Sequence, residues 1–167
     1  MIISNTSPLL YLAKLGKLEL LKILFNRVVI AEEVYKEVVV RGKERGFIDA
    51  LAVEKAINDG WIEVREIGYL KNVEKYASEI DAGELETIQL AHELRASVVL
   101  IDDAPARIIA QNLNLSVRGT LYVIVKSYKK KLTSKIETKD LLSRLISLGF
   151  RISPELYGKV LSEIDGL

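Results

Sequence analysis

There is no cysteine in this chain and only one histidine, His92. The first absence excludes disulfides and thiolate metal sites. The second excludes multi-histidine metal centres and argues against a histidine-based triad. No run of about 18 apolar residues exists, so no membrane span is expected. The apolar start lacks a basic segment ahead of it, so no secretory signal is read there, and a cytoplasmic protein is the expectation. An excess of one charge is missing too. Lys and Arg number 24 against 23 Asp and Glu, a net charge of +1, so any nucleic-acid function must rest on local patches. With 49% apolar and 28% charged residues the chain is globular, not disordered. Its 167 residues suit one domain, 1–167, in which about 120–167 form a helical C-terminal extension. Abundant Lys, Glu, Ile, Leu and Val with no Cys and one Met fit a thermophilic source.

Short β-branched runs at 1–3, 27–30, 61–67, 98–101 and 116–118 read as strands. Between them, 8–15, 18–25, 31–40, 47–58, 84–94 and 105–113 carry helical apolar spacing, and 121–130, 138–148 and 154–163 continue as helix. Strands alternating with helices predict an α/β fold: a three-layer α/β/α sandwich on a central parallel sheet, with a helical C-terminal tail. The runs at 1–3 and 98–101 are expected as central neighbours. Residues 42–46 and 68–81 read as the two main surface loops.

Open parallel sheets bind ligands beyond the carboxyl ends of their strands. Asn5 follows the first strand, and Asp102 and Asp103 follow the fourth. The helix after the second strand carries Glu32, Glu33 and Glu37, and the one opening at Asp81-Ala-Gly-Glu84 carries Glu84 and Glu86. Oxygen ligands from four segments, with no cysteine and one histidine, suit a hard cation, Mg²⁺ or Mn²⁺. Crowded carboxylates repel and raise one another's pKa, which a divalent ion relieves. Phosphate is the usual co-ligand of Mg²⁺, so phosphodiester hydrolysis by a metal-activated water is the chemistry that follows.

Each motif also has a plain structural reading. Ser7-Pro8 and Ser153-Pro154 read as helix starts, with Ser capping and Pro in the first turn. Asp81 and Glu84 have capping-box spacing, and Asp102-Asp103 suits the helix dipole ahead of Pro105. Glu32 and Glu33 suit a solvated face. Glu37 is harder to dismiss, because it sits among Val34, Tyr35, Val38 and Val39, where an unpaired acid is costly. Lys126-Ser-Tyr-Lys-Lys-Lys131 reads as a solvated basic helix end, and His92 as a surface residue. The joint placement of the acids past strand ends is the informative part.

Taken together, the blocks resemble PIN-domain proteins over essentially the whole chain, in a prokaryotic branch related to VapC-type toxins. Asn5-Thr-Ser-Pro-Leu9 is similar to the family's first block, Asp-Thr-Ser-Pro-Leu. Ile30-Ala-Glu-Glu-Val-Tyr-Lys-Glu-Val38 resembles the second, Asp81-Ala-Gly-Glu84-Leu-Glu86 the third, and Leu100-Ile-Asp-Asp103 with Arg107 the fourth. Gly119-Thr-Leu121 and Leu148-Gly-Phe-Arg-Ile-Ser153 match the branch's C-terminal half. The resemblance implies a Mg²⁺- or Mn²⁺-dependent endoribonuclease with RNA as substrate, a cognate antitoxin as partner and a homodimeric state. It implies a site of Asn5, Glu37, Glu84, Asp103 and Asp102, with Thr6, Asp81, Glu86 and Arg107 close by. The departure is Asn5, which stands where the family has its first aspartate. An amide oxygen still ligates but carries no charge, so a catalytically impaired module acting by RNA or protein binding is the alternative.

Overall fold

A computed structural model describes residues 1–71 and 73–166. Within the loop predicted at 68–81, Asn72 lies outside the described residues, as does Leu167 at the end of the chain. Two compact units are distinguishable, Met1–Thr120 and a second from Leu121 onward.

The first unit opens with β1 (Ile2–Ser4), α1 (Thr6–Lys14), α2 (Glu19–Phe25) and β2 (Val28–Ala31). A single helical path follows: α3 (Glu32–Tyr35), a wider π-helical turn over Lys36–Val40, and α4 (Arg41–Glu44). Then come α5 (Ile48–Asn58), β3 (Ile62–Arg65), a short 3₁₀ turn at Glu74–Tyr76, α6 (Ala82–Glu93), β4 (Val99–Leu100), α7 (Ala104–Asn112) and β5 (Val117–Arg118). All five strands pair in parallel in the order β3-β2-β1-β4-β5. Ile3 aligns with Val29 on one side and Val99 on the other, so β1 and β4 are central neighbours as expected.

Every residue of β1 and β2 is buried, which requires cover on both faces and makes the unit a three-layer α/β/α sandwich. On one face α6 packs across β1, β2 and β4. Ile3, Leu9, Leu12, Leu21, Ile30, Ile88 and Ile101 are fully buried. Each side chain of that size contributes roughly 1.5–3 kcal/mol by leaving water.

Two local expectations are corrected. Ser7 is not the first cap: Asn5, in extended geometry at φ −80° and ψ 176°, is the N-cap, and α1 begins at Thr6. Pro8 then falls at the third helical position, where its missing N–H has no intrahelical partner to lose. Residues 42–44 are helix rather than loop. Gly42 is buried, and a Cβ there would lie 2.8 Å from the Ala50 Cβ, so the glycine lets α4 close on α5.

In the second unit α8 (Thr120–Lys129), whose first residue closes the first unit, leads to α9 (Lys135–Ser147) and α10 (Pro154–Asp165). The predicted Ser153 cap forms, accepting from the Leu156 N–H at 3.2 Å. Ser127, Thr133 and Thr138 join their hydroxyls in a buried chain with steps of 3.1 and 2.9 Å, tying the end of α8 to the start of α9. The Tyr128 hydroxyl donates to the Ile164 carbonyl at 3.0 Å, and Lys139 pairs with Asp165 at 2.7 Å, which fasten α10. Among the described residues, no helix is long and apolar enough to cross a membrane.

Candidate functional site

Parallel pairing sends β1, β2 and β4 out of the sheet at the same edge, and each chain end there turns into a helix. Asn5 is held where β1 stops: its N–H donates to the Leu100 carbonyl at 2.9 Å, and it is 4% exposed. Its side-chain oxygen accepts from the Thr87 hydroxyl of α6 at 3.5 Å, a long contact. The next residue, Thr6, donates its hydroxyl to Glu37 Oε2. Asn5 is therefore linked to α6 directly and to the π turn through its neighbour.

Glu37 projects from that turn onto the first turn of α6. A Cβ at Gly83 would stand 3.0 and 3.1 Å from the two Glu37 carboxylate oxygens. Gly83 thus permits the approach, which explains why a poor helix former sits at the second position of α6. Arg41 Nη1 lies 3.9 Å from Glu37 Oε1, while its Nη2 donates to Glu33 Oε1 at 2.5 Å. The expected capping box is present at the α6 N-terminus. Glu84 N–H donates to Asp81 Oδ1 at 2.8 Å, and Asp81 N–H donates to Glu84 Oε2 at 3.1 Å.

The two aspartates after β4 diverge. Asp103 caps α7, accepting from the Ala106 N–H at 3.2 Å. Asp102 is held by Thr120, whose N–H donates to Oδ1 at 2.8 Å and whose hydroxyl donates to Oδ2 at 2.6 Å. A Cβ at Gly119 would be 2.5 Å from Asp102 Oδ1, so this embrace also depends on a glycine. Arg107 donates to the Ile101 carbonyl at 2.8 Å. Glu86 accepts from the Glu33 N–H at 2.9 Å, pinning α6 to α3.

The electrostatics separate these acids. Burial pushes the Glu84 carboxyl up to about 7, and the charges of Asp81, Asp103 and Glu37 add to the push against the Asp81 N–H bond. Glu37 is also raised, first by burial and then by Asp81 and Glu33, while Thr6 and Arg41 oppose. Burial raises Asp102 as well, opposed by Thr120 and Arg107. Mutual repulsion was the expected cause, but loss of water leads in all three cases. Glu37, Asp81, Glu84 and Asp103 share one field, and none of them is among the charges that shift Asp102.

Among the described residues, no three Asp, Glu or His side chains stand close enough to hold an ion between them. The donor chemistry nevertheless fits a hard divalent cation. The groups are all oxygen, Glu37 and Glu84 resist ionisation chiefly because they are buried and then because other acids are near, and each leaves one oxygen without a short partner. Gly83, Arg41 and Thr87 were missed by sequence reasoning. Only Gly83 left a signal, as a glycine inside a helix start.

A family model described as a PIN domain matches residues 1–166, and the chain belongs to the PIN-domain family. PIN domains are in general divalent-metal-dependent nucleases that act on RNA or DNA. No curated protein matches the chain.

Proposed function

We propose that this protein is a Mg²⁺- or Mn²⁺-dependent endoribonuclease of the VapC-like toxin type, working as a homodimer and restrained by a cognate antitoxin. The reading is supported by the charges of Glu37 and Asp103, from two other segments, acting on the buried Glu84, and by the hydrogen bonds that tie Asn5 to Thr87 and its neighbour Thr6 to Glu37. An ion there would have to draw in these three carboxylates, which do not stand close enough to hold it in its absence, with the Asn5 amide oxygen as a further donor. When bound, it supplies a water of lowered pKa and positive charge for the leaving oxygen.

The protein's own groups prepare that chemistry. Thr6 fixes one oxygen of Glu37, and the Asp81 N–H fixes one of Glu84, so each presents its other oxygen. Burial pushes the Glu84 carboxyl up to about 7, so Glu84 holds its proton more tightly than an exposed glutamate and would ionise more readily with a cation beside it. Asp102 is a positioning residue in this scheme. It is held at both oxygens by Thr120, whereas Asp103 accepts at one oxygen from the Ala106 N–H and its charge acts on Glu84.

A second reading rests on Asn5. With one ligand charge missing, the same scaffold would bind RNA or a protein and cut slowly or not at all. Glu37→Gln separates the two. The nuclease reading expects Mn²⁺-dependent cleavage of a mixed RNA pool by the wild type. It expects loss of that cleavage in Glu37→Gln with a folded circular-dichroism spectrum retained. Equal cutting by both removes Glu37 from the mechanism. A wild type that binds RNA without cutting it establishes the second reading.

A further inference from the structure

Beside Glu37 lies a cleft of about 280 Å³, lined by Thr6, Leu10, Glu37, Arg41, Arg45 and Phe47. Its size is close to the low end for sites that take one small organic group. Its far wall is a rigid turn. The Gly46 N–H donates to the Lys43 carbonyl at 3.0 Å, and the Phe47 N–H donates to the Gly42 carbonyl at 2.9 Å. With Gly46 at φ +72°, this is a Schellman close of α4. The contact of Gly42 with Ala50 clamps the same turn from beneath.

The turn carries two side chains with unused binding capacity. Phe47 is 50% exposed although its backbone is fastened. Arg45 has no acidic or hydrogen-bonding partner for its guanidinium among the described residues, whereas Arg41 is already engaged by Glu33 and Glu37. An open aromatic face and a free guanidinium on one wall, with the candidate ion-binding carboxylate Glu37 on the other, match a nucleotide. The base needs a flat apolar face and the phosphate a cation.

We propose that this cleft is a nucleotide subsite for single-stranded RNA, with Phe47 stacking a base and Arg45 receiving the adjoining phosphate. The identity of the strand rests on the nuclease reading. The subsite itself rests on the turn. It places one nucleotide beside Glu37 and so fixes where the strand meets the carboxylates.

The test is fluorescence anisotropy of a labelled single-stranded RNA of about eight nucleotides, a length one small site can cover. It is run in EDTA, where cleavage cannot interfere, over a range of salt concentrations. Phe47→Ala should bind about tenfold more weakly with an unchanged salt slope, and Phe47→Trp should retain wild-type affinity. Arg45→Gln should bind more weakly and lower the slope of log K against log salt by about 0.7, the value for one phosphate on a single strand. Ile48→Ala, 81% exposed and outside the cleft, should change nothing.

The proposal is overturned if Phe47→Ala and Arg45→Gln bind as wild type, if Ile48→Ala loses as much as Phe47→Ala, or if the wild type binds no strand. It is equally overturned if the variants keep RNA affinity but change the mass seen by light scattering, because the face would then dock protein. The nuclease reading fails separately. A wild type that binds through Phe47 and Arg45 yet never cuts in Mn²⁺ keeps the subsite and removes the enzyme.

Discussion

Asn5 concentrates the chemical question in one atom, because the aspartate oxygen it lacks would add a full charge with almost no change in shape. The residue is buried, its N–H is satisfied by Leu100, and only the long Thr87 contact uses its side-chain oxygen. Asn5→Asp should therefore fold unchanged. A charged ligand in place of an amide is worth on the order of 1–3 kcal/mol, by analogy with charge-assisted hydrogen bonds. Calorimetry should then show Mn²⁺ binding roughly tenfold to a hundredfold tighter, with faster RNA cleavage. The ion-free variant should melt lower, since another carboxylate joins the field around Glu84. Unchanged Mn²⁺ affinity would mean that Asn5 is not a ligand position.

At the scale of the element, α6 does two jobs with its first turn. Asp81 and Glu84 satisfy the free N–H groups of the helix end, and the same Glu84 is the acid with the most perturbed ionisation. Asp81→Ala should cost about 0.5–2 kcal/mol in a urea melt, the usual loss of a cap. It should also lower the Glu84 pKa, followed by carboxyl NMR, because a negative neighbour leaves. A rise instead would mean that the lost backbone geometry outweighs the lost charge. Much of this element was legible beforehand: the capping-box spacing, the five strand positions and the helix after each were all present as periodicity and punctuation. The π turn was not. Lys36–Val40 carries ordinary helical spacing, and the contacts its Glu37 makes with Thr6 and Gly83 reach segments far along the chain, which spacing does not encode. For the same reason, adjacency could not divide Asp102 from Asp103. Their different hydrogen bonding rests on Thr120, 18 residues downstream of Asp102, which engages Asp102. Ser7-Pro8 misled because the true cap, Asn5, is set by where β1 ends in the sheet.

The whole molecule carries the cost of its buried acids as a pH dependence. Glu84 titrates near 7 when folded against an ordinary value of 4.5, so between those values the folded chain binds more protons than the unfolded one. Stability without metal should then fall as pH rises from about 5 to 8, by up to about 3 kcal/mol from this group, with Glu37 acting in the same direction. Thermal melts should show the decline, Glu84→Gln should flatten it, and millimolar Mn²⁺ should oppose it most at high pH. A wild-type curve that rises over this range would contradict the burial of Glu84. The sheet order has a temporal consequence as well. Ile3 lies between Val29 and Val99, so β1 cannot gain its second neighbour until the ribosome has added 96 further residues after Ile3 (99 minus 3). At ordinary elongation rates that wait is roughly 5–20 s. The ends of β1 and β4, which Asn5 and Asp103 follow, are brought side by side only after it, so a nascent chain spends that interval without a complete candidate site.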